Sequence, residues 1–462
     1  MALNVTTSSP QPVDTLTVDV LIVGSGPVGC AYARKLIESN RGLDVCMVDA
    51  GGQQSKRPGE HLKNAFVFQR NIDQFVNVIR GHLNTISVPV DKRPTLTLDP
   101  GAFQPDNPLI RNGQNPDQDG RYNLPAAAAS YNVGGMATHW TCACPRHHPE
   151  IERWNVIQNW DDLYDEAEIL LNVHPRKNHA PHPFEQSVRH QIVLGVLRQH
   201  FNNLTVPFHP QNLPLACERR SDNPEFVRWS GADTVLGPVL DRPDNYKGKL
   251  TILEQHRCRQ IITNSDNSSV EAAVIDDLMA WKTKIIKAKV YVICAGAVLT
   301  PQILYNSNIR PAPLGLYLSE QPMTFCQIVM KQELLDNLAT SPYLDSAAKK
   351  RVTDYQKVHP EDPIPIPMTE PEPQVWIPVS KQHPWHAQIH RDAFQYGDIG
   401  PNVDSRVIVD LRWFGIVDQA PTNKVTFSGV YKDAFGMPQP TFHYEYTCLN
   451  TTLSKSRKSA IS

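Results

Sequence analysis

Long apolar runs are missing from this 462-residue sequence, because no stretch of 18 consecutive apolar residues occurs in it. We therefore predict no transmembrane helix. An excess of one charge is missing too, since 45 basic residues stand against 47 acidic ones. A near-neutral chain has no overall field that attracts nucleic acid or an anionic membrane, and we expect neither partner. Residues 1–17 lack the basic and apolar segments of a secretory signal, so we interpret them as a disordered tail.

Paired cysteines are also absent. The nine cysteines are scattered without a C-x-x-C motif, and Cys142 and Cys144 are too close for an ordinary zinc pair, so we predict no metal site. Unpaired thiols favour a reducing, intracellular compartment, although the sequence leaves the compartment open.

Proline, in contrast, is abundant. Eight prolines lie between residues 359 and 384, which predicts an extended connector that contains neither a regular helix nor a central strand. A ligand for a signalling domain is the alternative interpretation of this stretch.

A dinucleotide-binding pattern opens the structured part of the sequence. The β-branched run VDVLIV at residues 18–23 predicts a buried parallel strand, GSGPVG follows it, and a helical segment and a second strand come next. Gly24 suits the tight turn, Gly26 a close approach to a pyrophosphate, and Gly29 close packing of helix and strand. Asp49 ends the second strand, where an acid accepts hydrogen bonds from a ribose. The pattern alone does not distinguish FAD from NAD.

Two further segments place small residues at turns. KVYVICAGAVLTPQILYNSN, residues 289–308, predicts a strand, a turn at Ala295 and Gly296, and a helix. YNVGGMATHWTC, residues 131–142, predicts a close backbone turn at Gly135 and its neighbour, before the bulky pair His139 and Trp140. Taken alone, His139 is more readily a structural histidine than a functional one.

These segments resemble the glucose–methanol–choline (GMC) oxidoreductase family, and most closely its pyranose-oxidising members. The resemblance covers roughly residues 15–442 and implies FAD rather than NAD. It also implies that His139 is joined covalently to the flavin 8α-methyl and that Thr141 lies near the flavin N5 and C4a. Ala137 stands where the pyranose oxidases carry a serine, so one small polar contact of the family is lost.

A polar strand face marks the expected substrate site. In PWHAQIHRDAFQYG, residues 384–397, alternation places His386, Gln388, His390 and Asp392 on one face. Such a face contacts either bulk solvent or a binding site that contains water. An exposed sheet edge is the simpler alternative to a binding site. The resemblance favours a sugar site, with Asp392 paired to Arg412. It implies that the sugar is lined by Gln388, Asp392, Phe394, Tyr396 and Arg412.

The C-terminal end departs from the family. In the family, a catalytic His–Asn pair follows a sequence element that corresponds to residues 437–442 of this chain. No such pair follows that element in this sequence. We therefore assign no catalytic residue and expect a truncated chain, which makes a flavin-binding fragment without turnover one alternative. Another GMC-type alcohol oxidase or dehydrogenase is a second alternative, and an NAD-dependent dehydrogenase is a weaker one.

The expected fold is α/β (α+β), with a Rossmann-type FAD-binding domain and a mixed-sheet substrate-binding domain. We predict a tail at 1–17, the FAD domain at 18–318, the substrate domain at 319–442 and an atypical tail at 443–462. The expected activity is oxidation of the C2 hydroxyl of a pyranose such as glucose, with O₂ or a quinone as acceptor and hydrogen peroxide as product. By resemblance, the enzyme is a homotetramer.

Overall fold

A computed structural model describes residues 14–90, 114–174, 182–204, 208–223, 226–390, 402–417 and 419–445. In chain order its strands are β1 (Asp14–Val23), β2 (Asp44–Val48), β3 (Leu83–Thr85), β4 (Val88–Pro89), β5 (Gln114–Asn115), β6 (Ala128–Ser130), β7 (Val173–His174), β8 (Gln211–Asn212), β9 (Leu215–Arg219), β10 (Val227–Trp229), β11 (Lys249–Leu253), β12 (His256–Thr263), β13 (Val270–Asp277), β14 (Lys282–Ile293), β15 (Met323–Val329), β16 (Val375–Ile377), β17 (Trp385–Ile389), β18 (Ile408–Gly415), β19 (Lys424–Lys432) and β20 (Pro438–His443).

The α-helices are α1 (Pro27–Glu38), α2 (Phe66–Arg70), α3 (Ile72–His82), α4 (Trp160–Leu171), α5 (Val188–His200), α6 (Ala232–Leu236), α7 (Pro238–Asp241), α8 (Gly296–Asn306), α9 (Gln332–Asp336) and α10 (Ser346–Val358). Short 3₁₀ turns lie at Leu62–Asn64, Gly120–Tyr122, Gly135–Thr138, Pro243–Asn245, Leu338–Thr340 and Ser405–Val407. Within these described ranges, no helix is both long and apolar enough to cross a membrane.

A six-stranded sheet forms the centre of the first half, in the order β11-β2-β1-β14-β13-β12. The pairs β11–β2, β2–β1 and β1–β14 are parallel, whereas β14, β13 and β12 form an antiparallel meander. One face packs with α8 and the other with α1 and α6. This sheet confirms the Rossmann-type α/β prediction. Strand β1 begins at Asp14 instead of residue 18, because Asp14 to Thr17 pair with Lys284 to Lys287 on the long strand β14.

A five-stranded sheet, in the order β15-β18-β17-β16-β8, forms the second half. All four of its pairings are antiparallel. Its core includes apolar residues of α5 and α10. Both α5 and β8 precede residue 319 in the chain, so the second sheet also recruits earlier segments.

The proline-rich stretch contains a central strand, contrary to the sequence prediction. Strand β16 pairs with β17 on one side and with β8 on the other, and all three of its residues are buried. It lies between Pro373 and Pro378. The prolines therefore flank the ladder and remove no hydrogen bond from inside it.

Candidate functional site

A cavity of about 820 Å³ opens where β1, β2 and β14 end and where α1 and α8 begin. The volume is within the range of ligand sites, which is about 300–1,000 Å³. Six of the residues predicted to bind the cofactor line it: Gly24, Gly26, Asp49, Gly135, Ala295 and Gly296. The fold thus brings the three sequence segments together around one space.

Two of the predicted glycines are required by packing. Gly24 has φ +100°, and a Cβ there would lie 2.4 Å from the Cys294 carbonyl oxygen. A Cβ on Gly29 would lie 2.0 Å from the Gly24 carbonyl oxygen. Any side chain at these positions would collide with backbone, so both glycines are needed to bring β1, α1 and β14 together.

Two other glycines face open space. A Cβ on Gly26 or on Gly296 would have no atom within 4 Å, and both residues line the cavity. Gly26 precedes α1 and Gly296 is the first residue of α8, so both stand at helix N-termini, where backbone N–H groups favour an anion. Gly135 lies beside the first of these positions, since its own Cβ would be 3.3 Å from the Gly26 Cα.

Asp49 is held by the glycine-rich turn. Its Oδ2 accepts hydrogen bonds from the Ser25 N–H at 2.9 Å and the Ser25 hydroxyl at 2.6 Å, and its Oδ1 accepts from the Gly51 N–H at 2.9 Å. Burial raises the pKa of the Asp49 carboxyl, while these hydrogen bonds act in the opposite direction. Ser25 also accepts from the Gly134 N–H at 2.8 Å. Sequence reasoning missed Ser25 because it considered only the glycines of that motif.

His139 is fully buried, at 0% exposure, directly after the 3₁₀ turn Gly135–Thr138. Its Nδ1 lies 3.0 Å from the Thr138 hydroxyl, whereas its Nε2 has no hydrogen-bond partner among the described residues. Burial lowers the pKa of His139 to about 4, so the ring is neutral near pH 7. Neither His139 nor the half-buried Thr141 is among the residues that line the cavity.

The polar strand face is a buried chain of side chains. The Gln388 amide lies 3.2 Å from His386 Nε2 and 3.1 Å from His390 Nε2, and Arg412 Nη1 lies 3.2 Å from the same His390 nitrogen. Strand β17 lies inside the sheet, so the alternative of an exposed edge is wrong. Asp392, Phe394 and Tyr396 lie outside the described residues. Gln388 and Arg412 are not among the residues lining the 820 Å³ cavity.

The protonation of His390 follows from its neighbours. Burial, aided by the charges of Arg412 and Lys63, holds the pKa of His390 well below its usual value. Because a guanidinium only donates hydrogen bonds, the neutral ring must accept the Arg412 N–H with its Nε2 lone pair. Gln388 Oε1 lies 3.1 Å from the same His390 nitrogen, and Gln388 Nε2 lies 3.2 Å from His386 Nε2.

Comparison with known proteins gives consistent matches. A sequence profile of GMC oxidoreductases matches residues 124–323. One described as lycopene cyclase protein matches residues 19–99, which include the second half of β1 and all of α1 and β2. A pyranose 2-oxidase of Tricholoma matsutake is 44% identical over 93% of this chain and 76% of its own length. A pyranose 2-oxidase of Lyophyllum shimeji is 41% identical over 92% of this chain and 75% of its own. Among solved structures, an R554K variant of Aspergillus oryzae formate oxidase shares the fold, with a TM-score of 0.57 at 13% identity over 93% of this chain and 78% of its own.

Proposed function

The chain belongs to the GMC family of FAD-dependent oxidoreductases, which act on CH–OH groups, and from this premise we propose that it oxidises pyranose sugars at C2. The observation that carries the proposal is the identity of 41–44% with pyranose 2-oxidases over more than nine tenths of the chain. The proposed electron acceptor is O₂, which gives hydrogen peroxide, or a quinone.

The residues around the cavity fit FAD. Gly26 and Gly296 leave room at two helix N-termini for the pyrophosphate, whose charge the helix dipoles favour. Asp49 lines the same cavity at the end of β2, the position of the ribose-binding acid in Rossmann folds. When bound, FAD supplies the oxidant that takes a hydride from the sugar carbon.

We also propose that His139 is the covalent attachment point. Its Nε2 is buried without a partner among the described residues, and the ring is neutral because burial lowers its pKa to about 4. A neutral imidazole nitrogen with an unshared electron pair is the nucleophile that such a bond needs.

The proposed sugar site includes Gln388 and Arg412, with the predicted Asp392, Phe394 and Tyr396 completing it. Amide and guanidinium groups suit the hydroxyls of a sugar, and aromatic rings suit its C–H faces. We assign no catalytic base. The lone pair of His390 Nε2 already accepts the Arg412 N–H, so this ring orients its neighbours.

Anaerobic reduction of the purified, FAD-loaded chain tests this proposal. Glucose should bleach the yellow flavin, and O₂ should restore it with release of hydrogen peroxide. The matched controls are 2-deoxyglucose, which lacks the reacting hydroxyl, and 3-deoxyglucose, which keeps it. If glucose and 3-deoxyglucose reduce the flavin and 2-deoxyglucose does not, the result supports oxidation at C2. No reduction by any of the three sugars, or equal reduction by 2-deoxyglucose, refutes it.

A further inference from the structure

We propose that Asn132 and Thr138 hold His139 in the tautomer that carries its proton on Nδ1, so that Nε2 presents a lone pair to the flavin. They would be positioning residues for covalent attachment, a role distinct from sugar oxidation. The inference rests on the proposed attachment at His139.

The orientation of Asn132 is fixed by a backbone carbonyl. This fully buried side chain has its amide nitrogen 3.2 Å from the Gly135 carbonyl oxygen and 2.6 Å from the Thr138 hydroxyl oxygen. A carbonyl oxygen only accepts, so the NH₂ group must face Gly135. The same group then donates to Thr138, while the amide oxygen is bonded to the Ser130 hydroxyl.

The Thr138 hydroxyl can therefore donate one hydrogen bond, and two neighbouring groups can accept it. The Gly135 carbonyl oxygen lies at 2.9 Å and His139 Nδ1 at 3.0 Å. If the hydroxyl proton goes to the carbonyl, Thr138 accepts hydrogen bonds from Asn132 and from an Nδ1–H of His139, and every N–H and O–H donor in this network has an acceptor. A hydroxyl oxygen has two lone pairs, enough for both.

The opposite arrangement is disfavoured by burial. If Thr138 donated to Nδ1, the neutral ring would carry its proton on Nε2. That nitrogen is buried and has no partner among the described residues, and a buried N–H without an acceptor is costly. Because burial lowers the pKa of His139, the ring stays neutral and carries a single proton, either on Nδ1 or on Nε2.

The tautomer decides whether attachment can proceed. A bond forms between Nε2 and the 8α carbon while that methyl group loses one hydrogen and the imidazole loses its Nδ1 proton. Both hydrogens leave as protons, and the two electrons released with them reduce the flavin ring. Dioxygen then takes them to give hydrogen peroxide, which restores the oxidised ring. Thr138 is next to the proton that must leave, and Nε2 is free of any proton from the start.

Thr138→Val is the direct test, because it removes the hydroxyl and keeps the shape. Apoprotein is incubated with FAD, and the flavin that precipitates with acid-denatured protein is measured over time. Attachment should slow by up to about tenfold, the factor that one hydrogen bond controls. Thr138→Ser should restore the rate. The matched control is Thr426→Val, which removes a hydroxyl that bonds His443 Nε2 at 2.9 Å on the β19–β20 hairpin and should leave attachment unchanged.

A second measurement needs no variant. Nitrogen NMR of the wild-type apoprotein should show His139 neutral, with its proton on Nδ1. The proton on Nε2, or wild-type attachment rates in Thr138→Val, would overturn the inference. Wild-type protein that releases all its flavin in acid contradicts attachment at His139 itself. The NMR result then still decides the tautomer.

Discussion

Ser25 bonds Asp49 twice, through its backbone N–H at 2.9 Å and through its hydroxyl at 2.6 Å, both to Oδ2. The first hydrogen bond comes from the backbone of the turn after β1. The second comes from the Ser25 hydroxyl, which also accepts a hydrogen bond from the Gly134 N–H. One serine therefore connects the glycine-rich turn, the acid after β2 and the loop that leads to His139.

Ser25→Ala should destabilise the protein. The substitution leaves the Gly134 N–H without its acceptor in a buried place, which costs about 1–3 kcal/mol. We expect a loss of this size in the free energy of unfolding by urea, together with weaker FAD binding. Ser39→Ala is the control, because its exposed hydroxyl only donates to the Leu36 carbonyl oxygen. Equal stability of the two variants would contradict the role given to Ser25.

Gly26→Val should fold but fail to bind FAD, because its side chain would enter the cavity where the pyrophosphate is proposed. Gly429→Val is the matched control on β19, where a Cβ also meets nothing within 4 Å. Gly29→Ala should instead prevent folding, since its Cβ would lie 2.0 Å from the Gly24 carbonyl oxygen. Circular dichroism and flavin occupancy separate these outcomes. Normal flavin content in Gly26→Val would refute the placement.

Arg412→Gln should raise the pKa of His390, because the guanidinium charge is one of the groups that lower it. Removing the charge should also raise the glucose concentration needed for half-maximal flavin reduction, if Arg412 contacts the sugar. NMR titration measures the first effect and anaerobic reduction the second. A raised pKa with unchanged sugar dependence would remove Arg412 from the sugar site while keeping its contact with His390.

Stability should fall as the pH drops below 6.5. Burial lowers the pKa of several histidines from 6.5, so in the folded protein they stay neutral while the unfolded chain takes up protons. The values are about 3 for His61 and His182, and about 4 for His139, His190 and His386. At pH 5 each contributes up to about 2 kcal/mol of lost stability.

Urea unfolding at pH values from 7 to 5 measures that loss. His182→Gln keeps a donor for the Leu213 carbonyl oxygen, which His182 Nε2 contacts at 2.9 Å, but does not titrate. Its stability should therefore depend less steeply on pH than that of the wild type. An identical slope in both proteins would show that His182 is not held neutral by the fold.

The cofactor cavity was largely predictable from the sequence. The glycine spacing, the two strands and Asp49 report local geometry, and in the structure Gly24, Gly26 and Asp49 line one cavity. Two features were not predictable. The hydrogen bond between Gly134 and Ser25 joins segments 109 residues apart, and the orientation of Asn132 depends on a buried carbonyl that no sequence pattern marks.

Strand β16 shows the limit of composition as a guide. Eight prolines in 26 residues predict a connector, but pairing depends on where the prolines stand. Val375, Trp376 and Ile377 all keep their N–H groups, and β8 and β17 supply partners from distant parts of the chain. Pairing with strands distant in the sequence therefore outweighed the tendency of a proline-rich segment to form an irregular connector.

The parallel pairing of β1 with β14 has a consequence for biosynthesis. The register pairs Val23 with Ile293, so β1 leaves the ribosome long before β14 has been synthesised. Until then, the apolar residues of β1 lack one side of their sheet, and a long loop must close before the pairing stabilises the domain. The FAD pocket is thus a late product of synthesis, and flavin uptake by nascent chains would begin only once the turn at Ala295 and Gly296 has emerged.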